Sequence, residues 1–229
     1  MKLLVLGKGK TGSIVADIAR ERGHEVVALD EHDNAGASAL TPEHLRKLAT
    51  DVAIDFTAPD AVIENICACA RAKVNLVVGT TGWYGHVSKV RELVEESKIG
   101  FVYGSNFSIG VNVFFEAIRA AAAAVPFGYE VKLIERHHEQ KKDKPSGTAV
   151  TLHKIIQETS GADAEITSIR EGDVVGTHTV LLDSEFDTMM LVHDAKSRAG
   201  FAAGAVRAAE WIRGKKGFYE FRDIFSEMK

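Results

Sequence analysis

The chain has 229 residues, enough to bury a core as one large domain or two small ones. Its net charge of -4 argues against a general nucleic-acid binder, because phosphate affinity comes from an excess of Lys and Arg. The only cysteines, Cys67 and Cys69, stand two apart in a helical pattern, so neither a disulfide nor a shared metal is expected of them.

The N-terminus carries the apolar run Leu3 to Leu6, too short for a signal peptide, and no stretch reads as long enough to span a bilayer. A cytoplasmic protein without membrane contact is expected. The run reads as a buried strand and leads into Gly7-Lys8-Gly9-Lys10-Thr11-Gly12, after which Ser13 to Ala19 is apolar at helical spacing. Strand, Gly-x-Gly-x-x-Gly and helix together form a dinucleotide-binding fingerprint. Gly7 permits the tight turn, Gly9 lets a pyrophosphate approach the backbone, and Gly12 allows close packing of helix on strand. A second apolar strand, Val26 to Leu29, ends at Asp30, where an acidic side chain accepts the adenosine ribose hydroxyls. Glu31 adds negative charge where a 2′-phosphate would sit. NADH is therefore the expected cofactor, with NADPH possible because Lys8 and Lys10 offset part of the repulsion.

The strand-helix rhythm continues: helix from Pro42 to Ala49, strand from Val52 to Phe56, helix from Pro59 to Arg71 with proline in its first turn, strand from Val74 to Val78. Alternation of this kind implies a parallel sheet, whose ligands lie beyond the carboxyl ends of the strands. Gly79, Thr80 and Thr81, and later Gly104, Ser105, Asn106 and Phe107, leave the strands there. Trp83 and Tyr84 are expected to be packing residues.

Ile109 to Val125 reads as helix, stopped by Pro126 and Gly128, and Tyr129 to Ile134 as strand. The segment Glu135 to Val150 that follows holds adjacent histidines, three nearby lysines and a Pro-Ser-Gly-Thr turn, residues that a buried core would not choose. Ser146 suits a helix N-cap and Gly147 allows close approach, so the helix from Thr148 to Thr159 should start with free N–H groups, an anion seat. His137, His138 and Lys141 lie beside it and can carry positive charge and move protons near neutral pH. No metal is expected, since His137 and His138 have no third ligand in view. Three strands then follow, Glu165 to Arg170, Thr177 to Leu182 and Phe186 to His193, reading as a mixed or antiparallel sheet. Alternating Val180, Leu182, Phe186, Met190 and Val192 are apolar enough to want a partner chain, so a homo-oligomer is expected. Ser197 to Arg213 returns to helix, followed by a short tail.

The fold class read from this pattern is α/β: a Rossmann-like parallel-sheet dinucleotide domain, 1-106 with 198-229, and an inserted α+β domain with a mixed sheet, 107-197, for substrate binding and oligomerisation. The active site is expected in the cleft between them. By residue chemistry alone this is an NAD(P)-dependent reductase of a small acidic molecule, in which His137 or Lys141 supplies the proton and Gly147 and Thr148 bind oxyanions.

Glu135-Arg136-His137-His138-x-x-Lys141-x-Asp143-x-Pro145-Ser146-Gly147-Thr148-Ala149 resembles the signature of the dihydrodipicolinate reductase family, and the similarity extends over nearly the whole chain. It takes in Ile54-Asp55-Phe56-Thr57, Val78-Gly79-Thr80-Thr81-Gly82, Val175-Gly176-Thr177-His178-Thr179 and Phe201-Ala202-x-Gly204-Ala205-Val206-Arg207. The resemblance implies that His137 is the general acid/base, that Lys141 donates the proton, and that His138, Gly147 and Thr148 bind a small dicarboxylate substrate. It implies cofactor contacts at Gly7, Lys8, Gly9, Lys10, Thr11, Gly12, Asp30, Gly79, Thr80, Thr81, Gly104, Ser105, Asn106 and Phe107. It further implies a metal-free cytoplasmic homotetramer that reduces a 4-hydroxy-tetrahydrodipicolinate-derived intermediate on the route to diaminopimelate and lysine. The chain departs from the family pattern in a glycine loop about one residue short, in a short segment between Asp30 and Val52, and in Lys144 where Ala is usual. Two rival readings are another small-acid dehydrogenase of related build and a non-catalytic NADH-binding regulator.

Overall fold

A computed structural model describes residues 1–228. The chain forms two compact units, Met1–Ser108 with Ala199–Lys229, and Ile109–Arg198.

In the first unit β1 (Lys2–Leu6), α1 (Lys10–Glu21), β2 (Glu25–Leu29), α2 (Pro42–Leu48), β3 (Val52–Asp55), α3 (Val62–Ala72), β4 (Asn75–Val78), α4 (Val87–Ser97) and β5 (Gly100–Tyr103) follow one another as strand and helix. β1 is buried from Leu3 to Leu6 and β3 throughout, as strands covered on both faces must be. Thr41 caps α2 by accepting from His44 N–H at 3.1 Å, with Pro42 at the first helical position. Helix α3 begins at Val62, later than expected from Pro59, which lies in the turn before it.

The second unit follows. It comprises α5 (Ile109–Ala122), β6 (Glu130–His137), α6 (Gly147–Ser160), β7 (Glu165–Arg170), β8 (Thr177–Asp183) and β9 (Thr188–Asp194). Its sheet has the order β7-β6-β8-β9, with β6 and β7 parallel and the other neighbours antiparallel. The parallel pair is joined through α6, as a crossover requires. Strand β6 is central and runs three residues past Ile134, so Glu135 and His137 are buried, against the expectation that this stretch avoids the core. Pairing on both edges carries the strand on, and its alternation sends Leu133, Glu135 and His137 to one face. Val180 and Leu182 share the buried face and do not belong to the open one assigned to them from sequence. Phe186, Met190 and Val192 are 86%, 66% and 53% exposed, Phe186 in the turn before β9.

Helix α5 corrects another expectation. With the turn after it, Ile109–Phe127 forms 19 residues of mean hydropathy 1.4, long and apolar enough by those measures to cross a membrane. It is a packed helix here: Val111, Phe114, Phe115 and Ile118 are buried, and it lies against α6, β8 and β9. Glu116 and Arg119 pair along its flank at 3.7 Å.

The chain then returns to the first unit with α7 (Ala199–Ile212), β10 (Gly217–Glu220) and α8 (Phe221–Ile224). The short tail read from sequence supplies the sixth strand: β10 pairs with β5, giving a fully parallel sheet of order β10-β5-β4-β3-β1-β2. Helix α7 packs on α1 by a run of small residues, Ala202, Gly204, Ala205, Ala208 and Ala209, that allows close approach. A Cβ on Gly204 would overlap the Phe107 carbonyl oxygen.

Candidate functional site

In the first unit the glycine loop is shaped by contacts only glycine tolerates. Gly7 has φ +98°, and a Cβ there would overlap the Phe56 carbonyl oxygen; one on Gly12 would overlap the Gly7 carbonyl oxygen. The Gly7 N–H is tied to the Leu29 carbonyl at 2.8 Å. Gly9, in contrast, has open space where a Cβ would stand. It precedes α1, whose first turn has no side-chain cap, so its N–H groups are available to an anion. A cavity of about 860 Å³ opens on one side of this loop, lined by Gly7, Lys8, Gly9, Asp30 and Glu31 among others. A second of about 320 Å³, lined by Gly9, Lys10, Thr11, Gly79, Thr80 and Thr81, opens on the other. These features fit a dinucleotide: an open pyrophosphate turn, with room for a nucleoside on either side.

Asp30 accepts from the His32 and Asp33 N–H groups, each at 3.0 Å, and these backbone bonds together with Lys8 hold its carboxyl below the usual range despite some burial. Lys8 lies 3.3 Å from Asp30 and 2.7 Å from Asp33. Thr80 is less available than the sequence suggests. Its hydroxyl donates to the buried Asp55 at 2.6 Å and accepts from Thr57 N–H at 2.8 Å, and its own N–H is bonded to the Asp55 carbonyl at 3.3 Å. Phe107 is a core residue, 2% exposed with its ring 4.6 Å from that of Phe221, and Trp83 is buried with its indole N–H on the Thr80 carbonyl at 2.9 Å. Ser105 and Thr81 are exposed, while Gly104 is buried and Asn106 accepts from Ser108 N–H at 2.8 Å.

In the second unit β6 delivers His137 and His138, and α6 starts at the expected turn. Ser146 caps it, its Oγ accepting from Ala149 N–H at 3.2 Å, which leaves Gly147 and Thr148 in the first turn. The same Oγ lies 3.1 Å from His178 Nε2. With its acceptor role taken by the backbone, the hydroxyl has its proton to donate, which suits a neutral His178. Burial first, then the neighbouring His137, pushes His178 down to about 4. Lys141 pairs with Asp143 at 2.8 Å, and His138 Nε2 lies 3.4 Å from an Arg198 nitrogen. Burial raises the Asp143 carboxyl, but the bond and charge of Lys141, a backbone hydrogen bond and the charge of Arg170 together hold the group below its ordinary value.

Glu135 and His178, directly opposite in the β6–β8 register, flank His137, and among the described residues these three are the one group placing three ligand-type atoms within 4.8 Å of one another. A third ligand type therefore does stand beside His137, where the sequence offered none. The Arg170 guanidinium already occupies the Glu135 carboxylate at 2.8 Å, and a fixed cation there opposes a divalent ion.

Residues 1–107 match the model described as dihydrodipicolinate reductase, N-terminus, and residues 110–225 that described as its C-terminus. The chain belongs to the dihydrodipicolinate reductase family. Similar relatives include the 4-hydroxy-tetrahydrodipicolinate reductase of Christiangramia forsetii, 38% identical with 100% of this chain and 99% of that protein covered. The Neisseria meningitidis serogroup A reductase is 35% identical over 93% of this chain and 87% of its own. Among solved structures, a dipicolinate-bound dihydrodipicolinate reductase from Paenisporosarcina sp. TG-14 superposes with a TM-score of 0.82 at 26% identity, covering 98% and 99% of the two chains.

Within this family frame, the second unit collects groups that sequence reasoning passed over as site residues: Glu135, Arg170, Gly176, His178 and Arg198. One signal was available for Glu135, since residues two apart on a strand share a face and His137 was already singled out. Arg170 and Arg198 gave no local signal.

Proposed function

We propose that this chain reduces 4-hydroxy-tetrahydrodipicolinate to tetrahydrodipicolinate, a step of diaminopimelate and lysine biosynthesis in the cytoplasm. The observation that carries this reading is full-length membership of the reductase family together with the gathering of His137, His138, Lys141 and the capped Ser146-Gly147-Thr148 helix start in one unit. A nicotinamide dinucleotide, seated on the first unit, supplies hydride when bound. The first-turn N–H groups of α6 and His138 bind the carboxylates of the small substrate, and Lys141 donates the proton that balances the hydride, with His137 as general acid/base. The test is oxidation of the reduced cofactor by the purified protein coupled to the preceding synthase, which makes the unstable substrate. No oxidation above the synthase-only rate overturns the reading.

NADH is the preferred donor. Lys8 is engaged by Asp30 and Asp33, and the exposed Glu31 adds negative charge to the same rim, so a 2′-phosphate would meet carboxylates whose nearest cation is already paired. A lower Michaelis constant for NADPH than for NADH would reject this preference. Assembly into a homotetramer is supported by Phe186, Met190 and Val192, exposed in and just before β9 at the sheet edge. A monomeric mass by light scattering at micromolar concentration would exclude it.

A further inference from the structure

The inference rests on the reductase reading of His137 and concerns what holds that ring. Glu135 is 0% exposed, a position where a strand built only for packing would carry an apolar side chain. Its carboxylate meets His137 Nδ1 in a close ion-pair contact and Arg170 Nη1 at 2.8 Å. Burial raises the Glu135 carboxyl, but Ser168, the Arg170 guanidinium and the charge of His137 together outweigh it, so Glu135 is a carboxylate at neutral pH.

Arg170 pairs with His137 in the β6–β7 register, and its other nitrogen donates to the Asp143 carbonyl at 2.6 Å. One guanidinium thus ties the carboxylate behind His137 to the residue that pairs with Lys141. Opposite, a Cβ on Gly176 would stand 2.9 Å from His137 Nε2, so the glycine keeps that ring edge clear of a side chain. His178 meets the ring edge to face, with centroids 5.2 Å apart.

We propose that Glu135, braced by Arg170, is a positioning residue for the reaction: it keeps the His137 proton on Nδ1 and leaves Nε2 to exchange protons. Glu135 stays ionised throughout; the proton that moves is the one on Nε2. Arg170 keeps the carboxylate from making the ring too basic to release it. The charged and titratable groups around the ring are Glu135 on β6, Arg170 on β7, His178 on β8 and Lys141 in the loop. Burial lowers the His137 pKa, Glu135 raises it, and Lys141 and Arg170 lower it.

The test is an NMR titration of the His137 ring, identified by its loss in His137→Asn, with turnover measured in parallel. Glu135→Gln should move the midpoint down by about one pH unit and Arg170→Gln should move it up by about as much, since each removes one charge within contact range. Turnover should fall by about tenfold or more in Glu135→Gln with NADH affinity unchanged, and Glu135→Asp should recover part of it. Midpoints unmoved in both variants, midpoints moved in the same direction, or opposite shifts with turnover left at the wild-type level in Glu135→Gln would overturn the proposal, since a merely structural pair leaves turnover unchanged. Should Glu135→Gln fail to fold, Arg170→Gln decides alone: a raised midpoint supports the proposal and an unchanged one overturns it. Opposite shifts in a protein without turnover would count against the reductase reading and leave the Glu135–His137 linkage standing.

Discussion

Lys141→Ala is expected to cut turnover by about two orders of magnitude or more, ~2.7 kcal/mol of transition-state stabilisation, with NADH affinity unchanged. Hydride addition leaves the substrate one proton short, and Lys141 stands in the loop between β6 and α6, with a side chain 24% exposed and its ammonium held by Asp143 at 2.8 Å. The cofactor's candidate contacts all belong to the other unit. Lys141→Arg separates charge from proton transfer. It keeps a positive group for the substrate carboxylates but gives up no proton near neutral pH, so the Michaelis constant should hold while turnover stays low. Turnover at the wild-type level in Lys141→Ala would refute the donor role.

The second large effect is expected at Gly12. An Ala there overlaps the Gly7 carbonyl oxygen, and Gly7 cannot retreat because its own Cα is packed on the Phe56 carbonyl and its N–H is bound to Leu29. The overlap must be relieved by moving the turn or the start of α1, at about 3 kcal/mol. NADH should then bind about a hundredfold more weakly by calorimetry, and the melting temperature should fall. Gly9→Ala is the control, because open space surrounds its Cβ position: it should weaken NADH binding by meeting the pyrophosphate while leaving the melting temperature near wild type. Wild-type NADH affinity in Gly12→Ala would mean that the cofactor does not use this turn.

Much of the first unit was legible because its signals are local. The continuous apolar strands, the glycine turn and Asp30 at the end of β2 follow from short-range geometry, and the family signature lies within one stretch of fifteen residues. The strand β10 was missed because Gly217–Glu220 is short and carries both a glycine and a glutamate; only its pairing with β5 makes it a strand. Helix α5 reaches the length and mean hydropathy of a possible span only when the turn after it, to Phe127, is counted with it.

The site divides in the same way. Ser146 as a cap, with Gly147 and Thr148 opening the helix after it, could be read from turn chemistry, which depends on neighbours in the chain. Strand and helix periodicity and the glycine turn were likewise set by the sequence itself, since each acts over a few residues. The environment of His137 was decided only by the tertiary structure. Glu135 is a polar residue in a charged run until β7 places Arg170 and Ser168 beside it and β8 places His178 across from it. Burial and charge pairing act through space between residues remote in the chain, and sheet register alone brings those residues together.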